Sequence, residues 1–491
     1  AAWVMTSLTT SPVMVALVQT ASTLPVFLLG LPSGALADII DRRRYFAATQ
    51  LWVAINALVL AALSLTGTLT APLLLLLTFG NGIGLAMRWP VFSAIVPELV
   101  PRAQLPAALA LNGVSMNASR IIGPLVAGAL IASAGSEWVF VLNAVLSLGS
   151  AVIIWRWRRE HVPNPLGREK LWSAMRVGVQ FVGQSARLRA VFLQVFLFFF
   201  HSTACVSMLP LLARGLEEGG AGTFTLLLAT MGVGAILAAL ALPRLRQRLS
   251  RDHLVLGGTA LQSAGMLVMA MTTHLYFAVP AMFLFGVAWI STANTLSVSA
   301  QFSLPDWVRA RGMSIYQMAI MGGSALGAAL WGQLATLTDV HLSVGVAAAS
   351  GVVLAALAQR HNRDRGIEED MTPSRVIQRP VADAPPASGH LMVHIEYLID
   401  PARSDDFRAL MQESRRSRLR QGALAWELLH DITEPGRFVE QVIDESWTDH
   451  LRRFDRVTGA DVALRERKLG FHIADAPPRV TRYVLESTAH H

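Results

Sequence analysis

One cysteine, Cys205, in 491 residues leaves no disulfide framework and no multi-cysteine metal site. Charge is scarce too: 15% of residues are charged against 53% hydrophobic, and the mean hydropathy is +0.46. Soluble domains carry about 25% charged residues. The scarcity is uneven. Residues 1–359 hold 21 Lys/Arg and 11 Asp/Glu, a net of +10, whereas residues 360–491 hold 20 and 22, a net of −2. The overall +8 therefore belongs to the apolar part, where basic residues fall in short clusters between hydrophobic runs. That pattern reports membrane topology and not nucleic-acid binding. Cys205 is expected to be a small buried apolar residue. The sequence opens Ala1-Ala2-Trp3 with no basic segment or cleavage site before the first apolar run, so no signal peptide is read. The chain is expected to begin inside a longer one.

A membrane-crossing helix needs about 20 mostly apolar residues. Eleven segments qualify: 12–37, 45–66, 72–96, 106–134, 138–156, 188–213, 222–243, 253–272, 276–302, 311–336 and 341–358, with residues 1–8 as the tail of a twelfth. Their connections alternate. Arg42 to Arg44, Arg102, Arg156 with Arg158 and Arg159, the run Arg244 to Arg251, and Arg309 with Arg311 lie on one side. The links at 67–71, 135–137, 214–221, 273–275 and 337–340, holding Glu137, Glu217, Glu218 and Asp339, lie on the other. The positive-inside rule puts the basic side and the C-terminal tail in the cytoplasm. A basic stretch at 157–187 splits the spans six and six. Pro97-Glu98-Leu99-Val100 after the fourth span is echoed by Pro305-Asp306-Trp307-Val308 after the tenth. Repeated halves place a substrate site at their interface and let one half rock against the other, a device a receptor bundle does not need.

The loop from Gly34 to Arg44 reads Gly-Ala-Leu-Ala-Asp-Ile-Ile-Asp-Arg-Arg-Arg. It resembles the G-x-x-x-D-x-x-x-R-R signature of the major facilitator superfamily, departing from it at Ile39 and Asp41. Physically, Gly34 permits close helix approach, while Asp38, Asp41, Arg42 and Arg43 supply a charge network able to hold one side shut. The bland reading of the same charges is a solvated membrane anchor. The fifth span contains a run from Asn117 through Arg120, Gly123 and Pro124 to Gly128 that is similar to the Gly-Pro core of the motif in the superfamily's exporters, with Ala127 where a second Gly is common. Small residues allow tight packing and Pro124 bends the helix, which suits a hinge; ordinary small-residue packing is the alternative. The stretch from Phe79 to Gly84, then Pro97 to Arg102 and Leu111-Asn112-Gly113, resembles the enterobactin-exporter branch. The resemblance covers residues 1–358 and implies an all-α polytopic membrane protein with a 12-helix (6+6) major facilitator fold, its first helix truncated.

Polar groups inside the membrane are costly and usually functional. The resemblance implies that spans one, four, seven and ten line the cavity, which selects Arg88, His201 and Asn294 as substrate-facing, with Asn112 and Asn117 beside them. Arg88 can equally snorkel to the interface, His201 can be a satisfied core imidazole, and the amides can bridge helices. Acid is the telling absence: Asp38, Asp41, Glu98 and Asp306 all stand at span ends. A proton-binding group would have to be His201 or a carboxylate in the missing first span.

After a Pro- and Ala-rich linker, 359–389, the domain 390–491 reads as a strand at 391–399, a helix capped by Ser404 and running to Gln421, strands at 424–432 and 437–446, a helix at 447–466 and a strand near 479–485. This β-α-β-β-α-β order is that of an α+β ferredoxin-like domain. It resembles antibiotic-biosynthesis-monooxygenase-like domains, which dimerise, particularly from Glu445 to Leu451. Trp447 and His450 are as readily core and rim as catalytic.

The expectation is thus a non-enzymatic secondary transporter of the bacterial inner membrane: a six-helix half at 1–156, a cytoplasmic loop at 157–187, a second half at 188–358, and the tail. It would export a small amphipathic anion, siderophore-like or drug-like, by alternating access coupled to protons. Its partners would be that substrate, the lipid bilayer and a second copy through the C-terminal domain, with no nucleic acid, no cofactor and no metal. The alternative is a membrane-tethered enzyme or ligand sensor whose activity lies in the tail.

Overall fold

A computed structural model describes residues 1–39, 41–100, 126–157, 170–217, 219–362, 370–374, 376–381 and 389–486, with 104, 111, 115, 119, 122 and 123 singly between. Two compact units emerge, one formed by 1–161, 190–299 and 314–363, the other by 162–189, 300–313 and 364–491.

The first unit is helical. Ten helices among the described residues are long and apolar enough to cross a membrane. A short helix α1 (Ala2–Leu8) precedes α2 (Pro12–Ile39), α3 (Arg42–Leu65), α4 (Ala71–Leu99) and α5 (Ser136–Arg156). In chain order, an amphipathic helix of the second unit, α6 (Leu171–Gln184), comes next, and α7 (Ala186–Gly215), α8 (Ala221–Arg248), α9 (Arg251–Met271), α10 (Leu275–Phe302), α11 (Asp306–Leu337) and α12 (Val340–Asn362) follow it. Ten of the eleven expected spans coincide with these; 106–134 lies mostly outside the described residues, and its 126–133 portion is helical. Outward positions are bare hydrophobics, such as Ile153 (73% exposed), Leu240 and Met271, as lipid-facing surfaces are. Inside, Met208, Leu209, Met266, Met282 and Phe285 make the core of the later helices. Val4, Met5, Val15, Leu60 and Leu74 make a core among the earlier ones. Pro25 and Pro32 in α2, Pro210 in α7 and Pro280 in α10 each remove a backbone donor mid-helix, the places where such helices bend.

In the second unit, strands β1 (His390–Leu398), β2 (Ala425–His430), β3 (Arg437–Asp444) and β4 (Arg479–Leu485) form one antiparallel sheet in the order β2-β3-β1-β4. Helix α13 (Ser404–Arg420) joins β1 to β2. Strand β3 alternates strictly, burying Phe438, Glu440, Val442 and Asp444 on one face. Two details differ from expectation. The helix expected over 447–466 is two helices, α14 (Trp447–Asp455) and α15 (Gly459–Leu469), because Thr458 and Asp461 form a capping box that starts a new helix. Ser404 does not cap α13: its hydroxyl donates to Pro401 O, and Asp400 caps the preceding 3-10 turn. The described part of the linker is packed, with Ser374 N donating to Val457 O and Arg379 paired with Asp455 at 2.5 Å.

Candidate transport seam and polar sites

Helices preceding residue 157 meet helices following residue 185 along a narrow-residue seam. Val13 N donates to Thr336 Oγ1 at 3.2 Å and Thr20 Oγ1 donates to Ala325 O at 2.9 Å, both between α2 and α11. A Cβ on Gly332 would overlap Ala16, and one on Gly30 would press on Met318 at 3.2 Å. From Val13 to Gly30 is 17 residues, roughly 26 Å of helix, so α2 and α11 run together for most of their apolar length. Glycine and alanine let the two backbones approach, and a few hydroxyls provide the polar contacts.

At the end away from Arg42–Arg44, two more contacts close the seam. Arg214 Nη1 donates to Thr6 O at 2.6 Å, and its guanidinium lies 4.9 Å over the Trp3 ring, which stacks on Phe224 at 5.5 Å. Gly128 packs so closely on Thr225 of α8 that any side chain there would collide. Of the expected hinge motif, Gly128 is thus a close-approach point and Gly123 faces open space, while Arg120 and Pro124 lie outside the described residues.

The charged loop organises locally. Asp41 N-caps α3, accepting from Arg44 N at 3.0 Å. Arg43 donates to Trp157 O at 3.2 Å and lies over Trp155, pinning the end of α5, where the unpaired carbonyls of a helix C-terminus favour a cation. In this conformation Asp41 and Arg43 make contacts among the earlier helices. Arg42 is also engaged. Gly34 and Asp38 are on the last turns of α2, and the Asp38 side chain lies outside the described residues.

Arg88 is half-buried one residue before the end of the apolar stretch Ala71–Trp89. Asn294 on α10 accepts from Arg246 on α8 at 3.1 Å. Asn112 and Asn117 lie outside the described residues. His201 is elsewhere: buried on α7, its Nδ1 bonded to Leu197 O at 2.7 Å, its ring between Phe200 and Trp331 and against Gly351 of α12. It lines a cavity of about 20 Å³ among α7, α9 and α12, the volume of one water. His201 Nε2 and Gln262 Oε1, both lining that cavity, are buried without a partner. The structure therefore does not bring His201 together with Asn294. Gln262, which the sequence reading did not select, bonds Ser202 Oγ through its amide. Within the ten apolar stretches, which leave out the ends of α2, α4 and α11, the carboxylates are Glu137 and Asp252, and both stand in first turns.

The C-terminal domain holds its own charged centre. Glu440, fully buried, accepts from Ser414 Oγ (2.7 Å), Trp426 Nε1 (3.1 Å), Arg418 Nε (3.1 Å), Lys468 Nζ (3.2 Å) and Tyr397 OH (3.3 Å). Burial alone would raise its pKa, but the Arg418 and Lys468 charges override that and hold it well below the usual carboxylate range. Burial pulls Lys468 down to about 8 even with Glu440 beside it. Asp444 accepts from Arg453 Nη1 (2.7 and 2.8 Å) and His450 Nδ1 (2.7 Å), and against its burial these charges bring it to about 2. Burial lowers His450, so Nδ1 carries the proton and Nε2 accepts from Arg482 at 3.2 Å. The pairing of alternate β3 residues with cations two helices away was not readable from local pattern.

Ten apolar helices among the described residues, with prolines inside and a small-residue seam, define a polytopic membrane protein. The chain belongs to the transmembrane secretion effector family of the major facilitator superfamily, which it matches over residues 1–489. It is 26% identical over 345 residues to an uncharacterized MFS-type transporter, YfiS, of Bacillus subtilis, covering 68% of this chain and 81% of that one. It is 23% identical over 304 residues to the staphyloferrin A transporter of Staphylococcus aureus, covering 60% and 74%. A putative multidrug resistance protein, MdtD, of Salmonella typhi is 32% identical over 146 residues, 30% of each chain. Among solved structures, the nucleoside transporter NupG superposes with a TM-score of 0.57 at 13% identity, covering 73% of this chain and 92% of that one. A bacterial Spinster homologue gives 0.57 at 14%, covering 74% and 93%. These likenesses establish the fold. Family and neighbours alike are transporters and not enzymes.

Proposed function

We propose that the chain exports a small amphipathic anion across the bacterial inner membrane by alternating access, as a twelve-helix, six-plus-six bundle. The observation that carries this reading is the α2–α11 seam, held by two hydrogen bonds and glycine contacts and reinforced at one end by Arg214, Trp3 and Thr6. The α2–α11 contacts among the described residues are hydroxyl and glycine contacts without an ion pair, so this seam can part without an unpaired charge being left in lipid. Relatives named for staphyloferrin A and for multidrug resistance support small-molecule cargo, and the export motif core at Gly123, Pro124 and Gly128 supports direction.

Arg88 and Asn294 are assigned to the cargo path with Asn112 and Asn117, and Asp38 to the gate with Gly34, Asp41, Arg42 and Arg43. With carboxylates confined to first turns among the described spans, the cargo's negative charge meets arginine and not acid. Proton coupling is assigned to His201, whose unpartnered nitrogen faces a water-sized space. The sheet order β2-β3-β1-β4 and the β-α-β-β-α-α-β sequence, with its second helix split in two, support a ferredoxin-like C-terminal domain, cytoplasmic by the positive-inside rule.

Everted vesicles offered staphyloferrin A and related carboxylates test the reading. Accumulation driven by a proton gradient or by counter-substrate, reduced at least tenfold by Asp38→Asn at equal expression, is expected; no accumulation under either drive removes export.

A further inference from the structure

The C-terminal domain encloses a cavity of about 320 Å³ between the sheet and helices α13 to α15, within the size range of ligand pockets. Its apolar wall includes Val393, Ile395, Val442, Phe454 and Leu464. Five cations line it, Arg418, Arg453, Arg465, Lys468 and Arg482, against one lining carboxylate, Asp461. Asp461 is already used: it accepts from Ser417 Oγ at 2.5 Å and from Thr458 N at 2.9 Å. Counting Glu440 and Asp444 behind the wall, the site still carries a net +2. Arg453 is 5% exposed, and its Nε is buried with no hydrogen-bond partner. A cavity with an apolar wall, surplus positive charge and an unused buried donor is complementary to an anion with an apolar body.

The cavity also adjoins a mechanical contact. Gln421 lines it, and the turn continues through Gly422, whose φ of +111° suits glycine, to Ala423. The backbone carbonyls of that turn hold α6: Arg176 Nη1 donates to Gly422 O and Gln180 Nε2 to Ala423 O, each at 3.3 Å, while Arg176 pairs with Glu445 at 3.0 Å. Arg456 Nη1 donates to Gln421 O at 2.6 Å, and its guanidinium covers Trp307 at 4.8 Å, whose ring meets Phe181 edge-on. One turn therefore touches the cavity on one side and the inter-half helix on the other.

We propose that this domain is a sensor: the cavity binds an aromatic or fatty carboxylate, and the turn Gln421–Ala423 transmits its occupancy to α6. Binding adds contacts on the cavity side of a turn that α6 clasps, so α6 is held more firmly when the site is filled. No covalent step is involved.

The test uses the full chain in lipid nanodiscs with 4-(trifluoromethyl)benzoate as probe, fluorine NMR for binding and hydrogen exchange for α6. Saturable binding is expected, at least tenfold tighter than for the neutral 4-(trifluoromethyl)benzamide. Ile395→Trp, which fills the cavity, should abolish it, and Arg465→Ala, an exposed change that spares the fold, should weaken it severalfold. Probe should slow exchange in 171–184 at least threefold. Arg176→Ala should bind the probe unchanged but lose that response. Equal affinity for the amide, binding that survives Ile395→Trp, or exchange in α6 indifferent to probe each overturns the proposal. No flux is measured, so failure of the export reading and failure of this one remain distinguishable.

Discussion

Glu440→Gln removes one charge that five donors surround at zero exposure. The amide keeps the shape but leaves Arg418 and Lys468 facing each other in the interior without a counter-charge. Removing one partner of a buried ion pair costs about 3–5 kcal/mol, a large part of the roughly 5–15 kcal/mol that holds a domain together. Lys468 decides where in that range the loss falls. Its amine is at about 8 with Glu440 helping to keep it charged, so without Glu440 it loses its proton more readily. At pH 8.5 it is neutral and only Arg418 is uncompensated, giving about 3 kcal/mol; as pH falls and the amine takes up its proton, the loss grows toward about 5 kcal/mol. Amide exchange along β3 in the full chain reads this directly. Protection should fall roughly a hundredfold at pH 8.5 and several thousandfold at pH 6, at 1.36 kcal/mol per decade. Adding Lys468→Met should recover much of the pH 6 loss. A fall of less than tenfold at both pH values would refute the charge-centre argument.

Two further outcomes follow from the geometry. Gly128→Val puts a branched side chain where Thr225 already sits, so the α8 contact cannot close, and flux should drop at least tenfold while expression, read by fluorescent tagging, stays near normal; unchanged flux removes Gly128 from the seam. Asp444, depressed to about 2 from an unfolded 3.8, stabilises the domain above pH 4 and loses that contribution, about 2 kcal/mol, as pH falls through 2. His450, also lowered, adds a destabilisation that begins as pH falls below 6.5, because the unfolded imidazole takes the proton first. Acid titration of domain unfolding should show both steps, and Asp444→Asn should erase the lower one.

Spans were legible because a 20-residue apolar run is a one-dimensional signal: ten of the eleven expected segments are helices within a few residues at either end. The C-terminal strand and helix order was legible for the same reason, since β1 and β3 alternate and α13 is amphipathic. What failed was punctuation. The signal splitting α14 from α15 was present as Thr458-Gly459-Ala460-Asp461, a capping sequence hidden inside a charged helical run. Asp before three arginines fits both a charge network and a helix cap, and the cap shows only in the geometry of Asp41 against Arg44 N. His201 was grouped with Asn294 by span number, which fixes the helix but not the face it turns. Its neighbours, Gly351 and Trp331, come from helices more than a hundred residues away.

The central claim is that the α2–α11 seam must open for cargo to move. Val13 N and Thr336 Oγ1 are 3.2 Å apart, which sets a Val13→Cys, Thr336→Cys pair on facing sides of the seam, and the native Cys205 is buried away from oxidant. Flux of an accepted carboxylate into everted vesicles, measured oxidised and then after dithiothreitol, tests the claim most directly. The account predicts arrest when the pair is bridged and recovery on reduction, and equal flux in both states would contradict it.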